Sequence, residues 1–154
     1  MNFSLSLTAL FLTNIVFSQL TINTVKNLSF GSFCLSNNSS GSVSVSPIGH
    51  RTSTGGLILL NNTPYHMYAE IFFFQCDNKN VIVTYSNSCL LSSGNNNLTL
   101  NIGPTNLGSS GFSITTQGGC NFSNVIRVGG TLMIPHNAQP GNYSGSFSIN
   151  FNNE

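Results

Sequence analysis

Apolar and polar positions alternate most plainly over residues 125–151. Ile126, Val128, Leu132 and Ile134 share one parity, with Gly130 in the gap between them. After a loop holding Pro135, Pro140 and Gly141, a second period-2 run takes up Tyr143, Phe147, Ile149 and Phe151, with Gly145 in step. Successive side chains of a strand point to opposite faces, so each run predicts a β-strand with one buried face. The second run is expected to pair or pack against something, because an open apolar edge recruits other chains.

The rest of the chain reads the same way. Leu20 and Ile22 alternate with Thr21 and Asn23 in a weak strand, and Leu28 and Phe30 begin a clearer one. Residues 42–46 alternate Ser and Val, then break at Pro47 and Gly49. Residues 68–76 do not alternate but hold the continuous apolar run Ile71 to Phe74, the pattern of a central strand covered on both faces. Asp77, Asn78, Lys79 and Asn80 read as a hairpin loop into the strand 81–85. Leu98, Leu100 and Ile102 make another strand, stopped by Gly103 and Pro104. The total is about nine or ten short strands with close, regular turn signals and no helical stripe, which predicts an all-β sandwich of seven or more strands. Phe72, Phe74, Val83, Leu100, Leu132, Phe147 and Ile149 are the expected core.

Composition narrows the partners. The chain has 154 residues, the size of one domain, and 40% of them are apolar. Only 5% are charged, and the four basic residues are scattered, so no basic patch suits nucleic acid. The polar surface is instead Ser, Thr and Asn. The three acids include Glu70 and Asp77, which a single strand would hold roughly 23 Å apart, beyond the reach of a glycosidase pair. His50 and His136 adjoin Pro/Gly breaks and are expected in exposed loops; with no nucleophile elbow either, no catalytic residue, cofactor or metal site is expected. Zinc spacing is absent as well.

Residues 1–18 resemble a secretory leader: 5–17 is apolar apart from Ser, Thr and Asn, and Val16, Phe17 and Ser18 precede Gln19 like a cleavage site. No other run is long enough for a membrane span. The expected layout is a signal peptide at 1–18, an N-terminal extension or first strand at 19–27, and a β domain at 28–154. Cys34, Cys76, Cys89 and Cys120 all follow the leader, and an even number in an exported chain predicts two disulfides. The hairpin reading keeps Cys76 away from Cys89, beyond the ~7 Å Cα limit of a bridge. Counting strand directions then favours Cys89 with Cys120.

Four ordered motifs carry a family resemblance. They are Leu28-Ser29-Phe30-Gly31, the stretch 41–51 from Gly41 to Arg51, Val128-Gly129-Gly130-Thr131-Leu132, and the stretch 139–147 around Pro140, Gly141, Tyr143 and Gly145. Together they resemble a bacterial exported domain family of unknown function, related to fimbrial major subunits and spore-coat-U-like proteins. The resemblance implies an immunoglobulin-like sandwich in the periplasm, at the cell surface or outside the cell, and implies no catalytic residue. The four cysteines and the apolar run 71–74 depart from the family pattern.

The motifs also have physical readings. Gly31, Gly129 and Gly130 suggest bulges or close backbone approach. Pro140 and Gly141 suit the centre of a type II turn. Tyr143 is either a tyrosine corner, its hydroxyl on nearby backbone, or an ordinary half-buried strand residue. The function expected is a surface fibre or coat subunit assembling by strand addition with copies of itself or related subunits. Leu20 and Ile22 would lie on the donated strand, and Tyr143, Phe147, Ile149 and Phe151 at the receiving edge; folding of the first segment onto its own domain is the alternative. A glycan-binding module is the rival, with Tyr65, Tyr68, Asn61, Asn62 and His66 as its platform.

Overall fold

The structure, a computed structural model, describes residues 20–36, 39–62, 64–74, 80–108, 112–115 and 123–153. Every regular element among them is a β-strand. In chain order these are β1 (Thr21–Lys26), β2 (Ser29–Phe30), β3 (Phe33–Leu35), β4 (Gly41–Val45), β5 (Arg51–Gly55), β6 (Leu57–Leu59) and β7 (His66–Met67). They continue with β8 (Ala69–Phe74), β9 (Asn80–Tyr85), β10 (Ser88–Ser93), β11 (Asn96–Thr105), β12 (Phe112–Thr115), β13 (Ser123–Ile134) and β14 (Ile149–Asn153).

The alternating run that starts at Val125 becomes the middle of the largest sheet. β13 pairs antiparallel with β11 along one edge. Along its other edge it pairs first with β8 and then with β4. The sheet grows outward to β1 beyond β8, β10 beyond β11 and β5 beyond β4, giving seven strands. A three-stranded sheet runs β12, β9, β14, and two short pairs join β2 to β7 and β3 to β6. One apolar core collects Val43, Val45, Ile71, Phe73, Leu100, Ile126, Val128 and Leu132 from the large sheet with Val81, Val83 and Tyr85 from the small one. The rings of Phe73 on β8 and Phe151 on β14 meet at 5.3 Å between centroids, within the range of favourable aromatic pairs.

Several expectations need correction. β8 and β9 do not form a hairpin: β8 pairs with β1 and β13, and β9 with β12 and β14. Of the expected hairpin loop, residues 77–79 lie outside the described set, as do 75 and 76, and Asn80 opens β9. Five residues reach roughly 17 Å fully extended, enough to cross the ~10 Å between packed sheets, so closeness in sequence does not fix pairing. Gly103 and Pro104 do not stop β11. They sit, joined by a cis peptide, at a register shift after which pairing resumes at Thr105. The last strand begins at Ile149, and between Tyr143 and Ile149 only Ser144 pairs, as a bridge to Ser92. Gly141 is not among the glycines with positive φ, which rules out the type II turn. Its place is explained by packing, since a Cβ there would meet Ser93 Oγ at 2.5 Å.

Of the expected core, Val83, Leu100 and Leu132 are buried, whereas Phe72, Phe74, Phe147 and Ile149 are half-buried. On β8 the buried parity is Ala69, Ile71 and Phe73, so the apolar run faces the core with its odd residues. Phe73 has 0% exposure. Phe73→Ala is therefore expected to lower stability by about 3–5 kcal/mol, the cost of an aromatic core cavity. Phe72→Ala, on the half-buried face, is expected to cost clearly less. Urea unfolding of the two variants beside the parent chain measures both.

Candidate functional site

The inner face of the large sheet is not fully covered. Antiparallel partners point to the same face, so Ile22 of β1 shares the face of its partner Phe73. Phe73 is hidden, yet Ile22 is 47% exposed. Ile22 and Thr24 border a cleft of about 1040 Å³ whose floor is the buried set Ile71, Leu98, Leu100, Leu132 and Ile134. Two further segments line it, residues 27–35 and residues 138–147, and Ile149 and Phe151 of β14 complete it. Among the described residues, β14 is the outermost strand of its sheet on this side. The floor residues are each nearly inaccessible, so the cleft narrows to a slot above the core.

The two lips of the cleft are fixed by specific bonds. Arg51 Nη1 donates to the carbonyl of Leu60 at 3.1 Å and Nη2 to that of Ser32 at 2.6 Å, tying β5 to the loop beside β3. Partial burial lowers the pKa of this guanidinium from its ordinary value. On the other lip, the Tyr143 hydroxyl donates to the Gln139 carbonyl at 2.7 Å, with the ring half-buried against the core. The hydroxyl thus bonds to nearby backbone, as the corner reading anticipated. Gly145 lies so close to β10 that a Cβ would stand 2.4 Å from the Leu90 carbonyl oxygen.

Charge is concentrated where β1 meets β8, on the strand face of Glu70, which does not line the cleft. Lys26, Glu70 and Arg127 are cross-strand neighbours on β1, β8 and β13. Lys26 Nζ lies 2.8 Å from Glu70 Oε2, and Arg127 Nε donates to Oε1 at 2.9 Å. Both cations also lie over the Tyr68 ring, at 5.0 and 5.4 Å from its centroid. Glu70 is only 6% exposed because these side chains cover it, although the row lies at the surface. Hydrogen bonding to Lys26 and then Arg127 holds the Glu70 carboxyl below its ordinary 4.5. The same contact to Glu70 raises Lys26 and Arg127.

The remaining sequence candidates separate. Leu20 packs against the core, and β1 pairs with β8 of its own chain, which is the folded-back alternative. Tyr65 is exposed, whereas the Tyr68 ring is engaged by Lys26 and Arg127. Asn61 and Asn62 are exposed, and His66 is half-buried in its pairing with Phe30. His50 and His136 are exposed outside the strands. The expected disulfides have no support: Cys34 is an exposed free thiol and Cys89 a half-buried one, while Cys76 and Cys120 lie outside the described residues. Among the described residues, no group of three His, Cys, Asp or Glu side chains is placed to hold a metal ion. No helix among them is long and apolar enough to cross a membrane. Sequence reading missed both the cleft and the charge row. The row had a faint signal, since Lys26, Glu70 and Arg127 are three of the few charges in the chain.

These features define an all-β protein with an apolar cleft beside an open strand edge and no assembled catalytic group among the described residues. A family model described as a domain of unknown function, DUF4402, matches residues 20–152, and the chain belongs to that family. The match takes in β1, within the segment 19–27 read from the sequence as an N-terminal extension or first strand. No curated protein and no solved structure matches the chain.

Two measurements follow. Glu70 has a folded-state pKa below its unfolded value, so its contribution to stability is present above about 4.5 and is lost as pH falls through the lower folded value. Urea midpoints should therefore drop on acidification below 4.5, and Glu70→Gln should start lower at neutral pH and fall less. Separately, Cys34 should be alkylated by iodoacetamide faster than Cys89, whose thiol is pushed above its ordinary 9.0 by burial. Peptide mass spectrometry over time reads both rates.

Proposed function

We propose that this chain is an exported structural subunit of a bacterial surface fibre or coat, which receives an extended strand from a neighbouring copy or a related subunit. In this reading residues 1–18 are a cleaved leader and the fold is an immunoglobulin-like sandwich, the large and small sheets forming its layers. The observation that carries the reading is the cleft. Its floor is core aliphatic side chains, and its side is the outer edge of β14, a strand with no further neighbour in its sheet among the described residues. A strand laid against β14 gains main-chain hydrogen bonds there and presents alternate side chains to the floor. Burial of two aliphatic side chains contributes roughly 3–6 kcal/mol before the cost of ordering the donor. Ile22 would be covered by the same strand.

The receiving residues are those expected from the sequence, Tyr143, Phe147, Ile149 and Phe151, all of which line the cleft. The donor differs from that expectation, because Leu20 and Ile22 belong to a segment already paired within its own sheet. Any extended segment with apolar residues at alternate positions satisfies the chemistry.

The test is assembly of the purified chain lacking residues 1–18, followed by light scattering and electron microscopy. Concentration-dependent oligomers are expected. Ser146→Trp, at an exposed position on the cleft lining, should fill the slot and leave a folded monomer. A parent chain that stays monomeric at high concentration, or a Ser146→Trp chain that assembles as well as the parent, would refute the proposal.

A further inference from the structure

We infer that β1 is a latched wall of the cleft, held in place by the Glu70 carboxylate and released when that carboxylate takes up a proton. The inference adds a regulatory step to the acceptor cleft and rests on that reading for its purpose. The latch itself rests on geometry.

Among the described residues, β1 is an edge strand with one neighbour, β8. The side chains of residues 21–25 are all exposed, so little burial holds the strand. Its ladder has a register shift between Thr24 and Lys26, next to the latch. Beyond that shift Lys26 meets Glu70, the one described ion pair tying β1 to the rest of the sheet. Ile22, Thr24 and Lys26 also line the cleft, so movement of β1 changes the cleft directly. Only Asn27 and Leu28 separate β1 from β2, which leaves a short hinge at one end of the strand.

The groups facing Glu70 are Lys26 from β1 and Arg127 from β13, with the Tyr68 phenol beneath both. With Glu70 ionised, its two oxygens each satisfy one cation. A proton from solvent converts the carboxylate to a neutral acid. Both ion pairs are then lost, and two cations remain over one ring with no anion between them. Arg127 sits inside the sheet and retains the β13 ladder. Lys26 sits on the edge strand, so β1 is the element that leaves. Its departure uncovers the outer main-chain edge of β8 and opens the cleft at the Ile22 end.

Hydrogen exchange read by mass spectrometry tests the latch in the whole chain. At neutral pH, peptides covering β1 should exchange about tenfold faster in Glu70→Gln than in the parent, while β11 and β13 keep their protection. Lys26→Met removes the latch while Glu70 keeps Arg127, so it should release β1 equally even if Glu70→Gln fails to fold. In the parent, β1 should lose protection first on acidification below 4.5, after correction for intrinsic exchange rates. Parental protection of β1 in a folded variant, or loss of protection by all strands together in acid, overturns the latch. Strand uptake is scored separately by light scattering. Release of β1 with no assembly at any pH supports the latch and refutes the acceptor cleft; assembly that is no greater with β1 released than with β1 protected refutes the regulatory step alone.

Discussion

One strand holds three neighbours, and the rest of the fold depends on that. β13 presents one edge to β11 and divides the other between β8, up to Val128, and β4, from Gly130. The changeover falls on Gly129. A Cβ at that position would lie 2.3 Å from the Val45 carbonyl oxygen, a contact with backbone that no side-chain adjustment can relieve. A glycine there lets β4 approach closely enough to continue the ladder that β8 leaves. Without the changeover β4 and β5 would have no place in the sheet, and Val43 and Val45 would have no core to enter.

That arrangement was half legible in the chain. The alternation of Ile126, Val128, Leu132 and Ile134 specified a strand with one buried face, and all four side chains are buried. The pair Gly129 and Gly130 announced a close approach, which the structure places against the Val45 carbonyl of β4 for Gly129 and against Leu28 and the β11 residues Leu100 and Asn101 for Gly130. Partner choice was not legible, because a period-2 pattern states which face is buried and is silent about which edge pairs with what. The same limit explains the false hairpin. Asn80 to Tyr85 has the alternation of a strand, and the polar residues before it have turn chemistry, yet the strand serves the small sheet. The cleft was legible only as a worry about an apolar terminal run. Its actual size depends on how far the small sheet extends over the large one, a long-range property that no local window contains.

A chain with so little charge needs other polar groups to hydrate its surface. The outer face of the large sheet shows how. Thr52, Ser44, Thr131, Asn101 and Ser88 stand in register across β5, β4, β13, β11 and β10. Ser44 and Thr131 hydroxyls bond each other at 2.8 Å, as do Ser42 and Thr54 one row away. Such cross-strand pairs support the ladder while leaving lone pairs to water. They also leave the few charged groups free for particular tasks. Arg51 fixes backbone carbonyls beside the cleft, and Lys26, Glu70 and Arg127 tie three strands together.

The asymmetry of the two principal sheets then accounts for the cleft. Seven strands present an inner face, but the small sheet has three, and its last strand, β14, is flanked by a segment that mostly leaves the ladder between Tyr143 and Ile149. The segment cannot simply move inward to fill the gap. Gly145 is pressed against the Leu90 carbonyl, Ser144 is bonded to Ser92 in both directions, and the Tyr143 hydroxyl holds Gln139. On the far side, Arg51 anchors the carbonyls of Ser32 and Leu60. Both lips are therefore held apart by bonds made within the chain, and closing the slot would break them. An apolar slot whose described walls are bonded in this way is a fixed feature of the fold.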